Sequence, residues 1–141
     1  MKIILHILLV LLLVSCSTKN KNLTNTATNN LSGKWEWKEN NLAFTFDIYI
    51  KQTGDSITGN YCAIANNGNK IDCSVENDDN CNMYGKQVNN VTVLTFTSCY
   101  MEAKGEAIIT YNPKKDELIW KLGNTTDIVF APDSAILKRR R

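Results

Sequence analysis

The sequence predicts an all-β protein: an antiparallel up-and-down meander closed into a small eight-stranded barrel and stapled by disulfides. Three observations predict it. From Gly33 onward, apolar residues recur at every second position in successive short runs, the period of a half-buried strand. Turn-forming residues, rich in Asn, Gly and Asp, separate those runs. No stretch beyond Gly33 keeps a helical period. Consecutive hairpins without a long crossover favour a meander, and closing it removes exposed edges. A sandwich is the other closure, but its Greek-key connections need longer crossing loops.

Taken in order, residues 1–15 read as a removable leader. Lys2 precedes an apolar run from Ile3 to Val14, broken only by His6. A basic start, a short apolar core and a small residue before the cut make a secretory signal peptide. The run is about 12 residues, short of the roughly 20 that span a bilayer. Residues 16–32 form the next unit. Beyond Cys16 they read STKNKNLTNTATNNLS, too polar to offset the entropy of ordering. Such a tether has an end-to-end distance of roughly 20–25 Å.

Residues 33–141 are the barrel domain. Trp35 and Trp37 share one face of the first strand. After a turn at Glu39-Asn40-Asn41, the residues Leu42, Phe44, Phe46, Ile48 and Ile50 line one face of the second. Thr53-Gly54-Asp55 turns the chain into a third strand, weakened or bent at Gly59. Asn66-Asn67-Gly68-Asn69 is the clearest hairpin signal, because Asn-Gly accepts the positive φ values of a type I′ turn. Pairing Asn66 with Asn69 sets Ile64 opposite Ile71 and Cys62 opposite Cys73. Counted from a two-residue turn, the cysteines form a hydrogen-bonded pair with the wider Cα spacing. Residues 76–82 are an acidic, Asn-rich loop. A hairpin turning at Asn89-Asn90 follows, and a bulge near that turn brings Cys81 across from Cys99. Then come a strand from Lys104 to Tyr111 with Gly105, Ala107 and Ile109 on one face, a loop at Pro113, and a strand carrying Leu118, Trp120 and Leu122. Gly123-Asn124 reads as a turn. Ile128-Val129-Phe130 is a short apolar piece stopped by Pro132, and the last strand runs from Ser134 to Arg139.

Composition narrows the function. A chain of 141 residues, less a 15-residue leader, is one domain plus a tail. Its formal charge of +2 falls to +1 once Lys2 leaves, so no global field selects nucleic acid. The single histidine, His6, leaves with the leader. The remaining chain therefore has no Ser-His-Asp or Cys-His nucleophile system and no His-based zinc site. Five cysteines divide as Cys16 plus an even set, Cys62, Cys73, Cys81 and Cys99. In an exported protein such a set reads as disulfides. Three pairings exist, and hairpin geometry favours Cys62–Cys73 with Cys81–Cys99. A Cys₄ zinc site lacks any C-x-x-C pair.

Leu13-Val14-Ser15-Cys16 resembles the lipobox of bacterial lipoproteins. That resemblance implies a diacylglyceryl group on the Cys16 thiol and a protein anchored by lipid in the cell envelope. Ser17, next to it, carries no retention charge, so the expected place is the outer membrane, facing the periplasm. Gly33-Lys34-Trp35 opens the meander where members of the calycin superfamily (lipocalins, fatty-acid-binding proteins, avidins) carry Gly-x-Trp. The resemblance implies that Trp35 closes one end of the barrel beneath a basic residue of the last strand. Lys138, Arg139 or Arg140 would supply it, and Arg139 is taken as that residue. The run Ile57-Thr58-Gly59-Asn60-Tyr61 is similar to the start of avidin-type barrels. The cysteines depart from the avidin pattern, and no biotin-binding set aligns.

The candidate sites follow. Trp37, Phe46, Tyr61, Tyr111 and Trp120 are candidates to line the interior and hold one small apolar or aromatic guest; the plainer alternative is a filled core. The acidic residues Asp72, Glu76, Asp78 and Asp79 offer oxygen ligands for Ca²⁺ or simply a solvated loop. Asp47 and Glu106 are the carboxylates to weigh for glycoside chemistry, with alternation pointing Asp47 outward. The basic end, Lys138 to Arg141, suits an anionic surface or plain solvation. No catalytic residue, cofactor or metal is expected. The first expectation is a non-catalytic, lipid-anchored envelope protein binding a small ligand. The second is a protein-binding module, similar in size, anchor and disulfides to lysozyme inhibitors and toxin-immunity proteins, with a solid core and contacts on its loops.

Overall fold

Among the described residues, nine strands pair with their neighbours, all antiparallel, in a computed structural model. The structure describes residues 29–38, 43–73 and 83–141. The leader, Cys16, most of the tether, Cys81 and the acidic loop lie outside the described residues.

The strands are β1 (Gly33–Lys38), β2 (Thr45–Thr53), β3 (Ser56–Ala65), β4 (Lys70–Cys73), β5 (Met83–Val88), β6 (Val91–Thr97), β7 (Lys104–Asn112), β8 (Glu117–Thr125) and β9 (Ser134–Arg139). β1 pairs with both β2 and β9, and β2 with β3, so the sheet closes into an eight-stranded barrel. The ninth strand fits because one stave is split. The first half of β3 pairs with β5, from Ser56↔Lys86 to Gly59↔Met83, and its second half pairs with β4. β4 and β5 thus run end to end along the same neighbour.

Alternation decides what is inside. Trp35, Phe46, Ile48, Ile50, Ile57, Tyr61, Ala63, Met83, Leu94, Phe96, Ala107, Ile109, Leu118, Trp120 and Leu137 are all buried, each two residues from the next inward position on its strand. The core needs large side chains from some strands and small ones from others. Ala107 and Gly105 on β7 leave room for Phe96, whose ring lies where a Gly105 Cβ would be.

Several local expectations hold and several are corrected. The Asn66–Asn69 turn has φ 53° at Asn67 and 89° at Gly68, and it sets Ile64↔Ile71 and Cys62↔Cys73. The Cys62–Cys73 disulfide is formed, but the two Cα atoms are only 3.9 Å apart. This is the close class of cross-strand pair, not the wide one counted from the turn. Cys99 is disulfide-bonded too; the Cys81 half of the expected pairing lies outside the described residues. No bulge interrupts β5–β6, whose register runs unbroken from Val88↔Val91 to Met83↔Phe96. Gly123-Asn124 is not a turn. Both residues lie within β8, at a register shift opposite Gly105 and Ala107. The glycine there accommodates a bulge, which a Gly-Asn pair signals as readily as a turn. The folded unit also begins before Gly33: Leu31, read from the sequence as tether, is buried in the core.

Candidate functional site

The two ends of the barrel carry its charged side chains in different ways. One end gathers residues 29–32, the turns at Gly54, Asn89 and Pro113, and the end of β9. There Trp35 is fully buried and its indole Nε1 donates to the Leu31 carbonyl at 2.9 Å. The Arg139 guanidinium lies 4.1 Å from the ring centroid, a cation–π stack. Arg139 Nε also donates to Asp116 (3.0 and 3.1 Å), while Nη1 and Nη2 donate to the carbonyls of Ser32 (2.7 Å) and Asn30 (3.1 Å). One cation thus joins the last strand, the β7–β8 loop and the entering chain. Gly33, at φ +129°, lets the entering chain pass close to that guanidinium; a Cβ there would sit 3.3 Å from Nη1. Tyr111 completes the group. Its ring meets Trp35 edge-on, centroids 6.1 Å apart, and its hydroxyl donates to Asp116 at 3.0 Å. Arg139 holds the Asp116 carboxyl below its ordinary range, while burial pushes the Tyr111 hydroxyl up.

The other end is organised by a single carboxylate. Asp72 is fully buried. It pairs with Ala63 on β3, which turns it inward. Its oxygens accept from Tyr61 Oη (2.7 Å), Ser98 Oγ (2.9 Å) and the backbone N–H groups of Cys99 (2.8 Å), Tyr100 (3.2 Å) and Phe130 (3.3 Å). A carboxylate offers about four lone-pair sites, so these donors saturate it. Burial, then the hydrogen bond to Asp72, raises the Tyr61 pKa strongly. Asp72 is therefore neither a loop cation ligand nor a free acid–base group. It is a clamp on two loops, residues 98–103 and 126–133. Those loops present Tyr100, Met101 and Ile128 to solvent, the last 62% exposed. Tyr100 packs on Phe130 with centroids 4.5 Å apart, and Lys70 lies over the Phe130 ring at 5.1 Å. Sequence reasoning missed this clamp.

Between the ends, the candidate ligand-lining residues pack mainly on one another. Phe46 meets Trp120 at 4.9 Å and Tyr61 at 5.9 Å between centroids, and Phe96 joins Tyr61 at 5.3 Å and Trp120 at 5.9 Å. The Trp120 Nε1 donates to the Pro132 carbonyl at 2.8 Å. Trp37 does not join this group; it is half-buried and meets Phe44 edge-on at 5.5 Å. Tyr111 belongs to the Arg139 end. The five candidates are thus split among three places.

Trp37 instead stands beside a break in the wall. β1 meets β9 in two residue pairs, Trp35↔Arg139 and Glu36↔Lys138, against six with β2. An open cleft of about 670 Å³ lies there, lined by Trp37, Trp120, Ile119, Ile136, Glu117 and Lys138 among others. Glu106 is exposed on the outer face of β7, and Asp47 is half-buried on the outer face of β2. Among the described residues, no group of three His, Cys, Asp or Glu side chains could hold a metal ion. Comparison with protein-family models, with curated proteins and with solved structures returned no match.

Proposed function

We propose that this chain is a lipid-anchored, non-catalytic protein-binding module of a bacterial cell envelope. Cys16 carries the lipid, and the loops held by Asp72 meet the partner. The lipobox resemblance supports the anchor, and the Gly33-Lys34-Trp35 opening supports a calycin-like origin for the barrel. The observation that carries the binding reading is the filled interior. Phe46, Tyr61, Phe96 and Trp120 interlock where a guest would sit, so contact surface must come from outside. Tyr100, Met101 and Ile128 suit that role. Aromatic and apolar side chains dominate binding energetics, and a clamped loop loses little entropy on docking.

The test is quantitative capture from envelope extract by the mature chain and two variants. Tyr100→Ala with Met101→Ser should abolish enrichment of the partner, and Val93→Ser with Ile108→Ser on the barrel wall should not. Equal capture by all three would contradict the reading. A second reading keeps a small apolar ligand, now in the cleft beside Trp37 rather than in the interior. Native mass spectrometry showing a retained small molecule, lost in Trp37→Ala, would favour it.

A further inference from the structure

β3 changes neighbours at one point on the barrel wall. It leaves β5 at Gly59 and takes up β4 at Cys62. At Gly59 it also presses against β2, where a Cβ would strike the Tyr49 carbonyl. The wall is concave beside this bend. The hollow is about 520 Å³ and is lined by Lys34, Asp47, Tyr49, Asn60 and Cys62, with Ile48 and Tyr61 behind them. That volume falls in the range of small-molecule sites.

The lining is ordered by register. Lys34, Tyr49 and Asn60 lie in one cross-strand row, and Glu36, Asp47 and Cys62 in the next. Strands about 4.8 Å apart place an ammonium, a phenol ring and an amide side by side, with a carboxylate one row away. Asp47 is poorly served by the protein itself. Its Oδ1 is buried and accepts no hydrogen bond. Burial and then Glu36 push its pKa up, against Lys38, Arg140 and Lys34. That oxygen is sealed from solvent, so a ligand in the hollow meets the remainder of the half-buried Asp47 side chain that lines it.

We infer that this outward hollow binds a neutral, hydroxyl-rich ligand, an oligosaccharide. The chemistry of the lining selects it. Lys34 only donates, Asp47 only accepts, and Asn60 does both, so a ligand must offer donors and acceptors at close spacing. Hydroxyl groups do this. The surrounding charges, Glu36 and Asp47 against Lys34, Lys38 and Arg140, are mixed and select neither a cation nor an anion strongly. Tyr49, 46% exposed, offers a ring face to the C–H side of a sugar. The site lies on the outer wall and is independent of the partner-binding loops.

Titration of the mature chain, kept in solution by Cys16→Ser, tests this by NMR. The probes are the tetramers of N-acetylglucosamine and of glucose. At least one should shift the amides of Lys34, Asp47, Tyr49 and Asn60 saturably, with a Kd of about 1 mM or tighter. Tyr49→Ala and Asp47→Ala should each weaken binding tenfold or more, and Val93→Ser, on the outer face of β6, should leave it unchanged. Both variants sit on the outer face, so the fold should survive, which the remaining amide shifts check. No saturable shift with either tetramer up to about 20 mM would overturn the inference. So would shifts centred on Trp37 or Tyr100, or binding untouched by Tyr49→Ala.

Discussion

Arg139 and Asp72 secure opposite ends of one barrel, and they do so with opposite charges and opposite exposure. The Arg139 side chain remains 25% exposed and is paired with Asp116, itself 45% exposed. Its stacking on Trp35 and its contacts with residues 30–32 are several modest bonds, each partly replaceable by water. Asp72 is sealed from solvent and receives only neutral donors. Charge-assisted bonds of that kind are strong, and an unsatisfied member is costly. The Arg139 end should therefore loosen gradually, whereas the Asp72 end should hold or fail as a unit. A surface meant to dock a partner gains from the second behaviour.

The largest effect should come from Asp72→Asn. It replaces one acceptor oxygen with an NH₂ that faces the two donors on Oδ1 or the three on Oδ2, and the chain should lose about 3 kcal/mol or more, read by urea unfolding. Loss of the outward Cys62–Cys73 bridge, with both residues changed to Ser, should cost about 2–3 kcal/mol for a loop of this length. Because that bridge stabilises the hairpin carrying Asp72, the combined variant should depart from additivity. Arg139→Ala should cost about 1–2 kcal/mol through the lost stack and ion pair, with Arg139→Lys recovering part of it.

The Arg139 end also carries a pH signature. The Asp116 pKa is lowered in the fold, so its contribution is present above the unfolded carboxyl pKa near 4. It is lost as pH falls through the lower folded value. Partial exposure keeps that limb under about 1 kcal/mol, and it should vanish from the acid unfolding curve of Arg139→Ala. Smallest, and of opposite sign, is Asp47→Asn. The raised Asp47 pKa means the charged form costs stability above about pH 4. The variant should melt slightly higher than the parent at pH 7 and show no gain at pH 3.

Much of the barrel was legible because its turns are tight. A two-residue turn at Gly54-Asp55 and the Asn66–Asn69 turn fix parity from strand to strand. That is why the Cys62↔Cys73 register could be counted. The placement of Trp35 beneath a basic residue of the last strand rests instead on the Gly33-Lys34-Trp35 resemblance. The same parity carries a signal that composition hides. Phe46 and Ile48 face inward, Ile48 pairs with Tyr61, and Ala63 pairs with Asp72. Counting faces through the two turns puts Asp72 inside and Ile71 outside, the reverse of what polarity suggests. Ile71 is indeed 55% exposed. The five donors around Asp72 come from three separate stretches of chain, and no local pattern announces them. Gly123 misled for a related reason, since glycine marks a bulge and a turn alike.

Amide hydrogen exchange of Cys99, Tyr100 and Phe130 in residues 16–141 tests the clamp most directly. These three N–H groups should be strongly protected in the parent and exchange near the free-loop rate in Asp72→Asn, while amides of β1 beside Trp35 stay protected in both. Fast exchange of all three in the parent would mean that Asp72 does not fix the loops, and the proposed docking surface would have no rigid support.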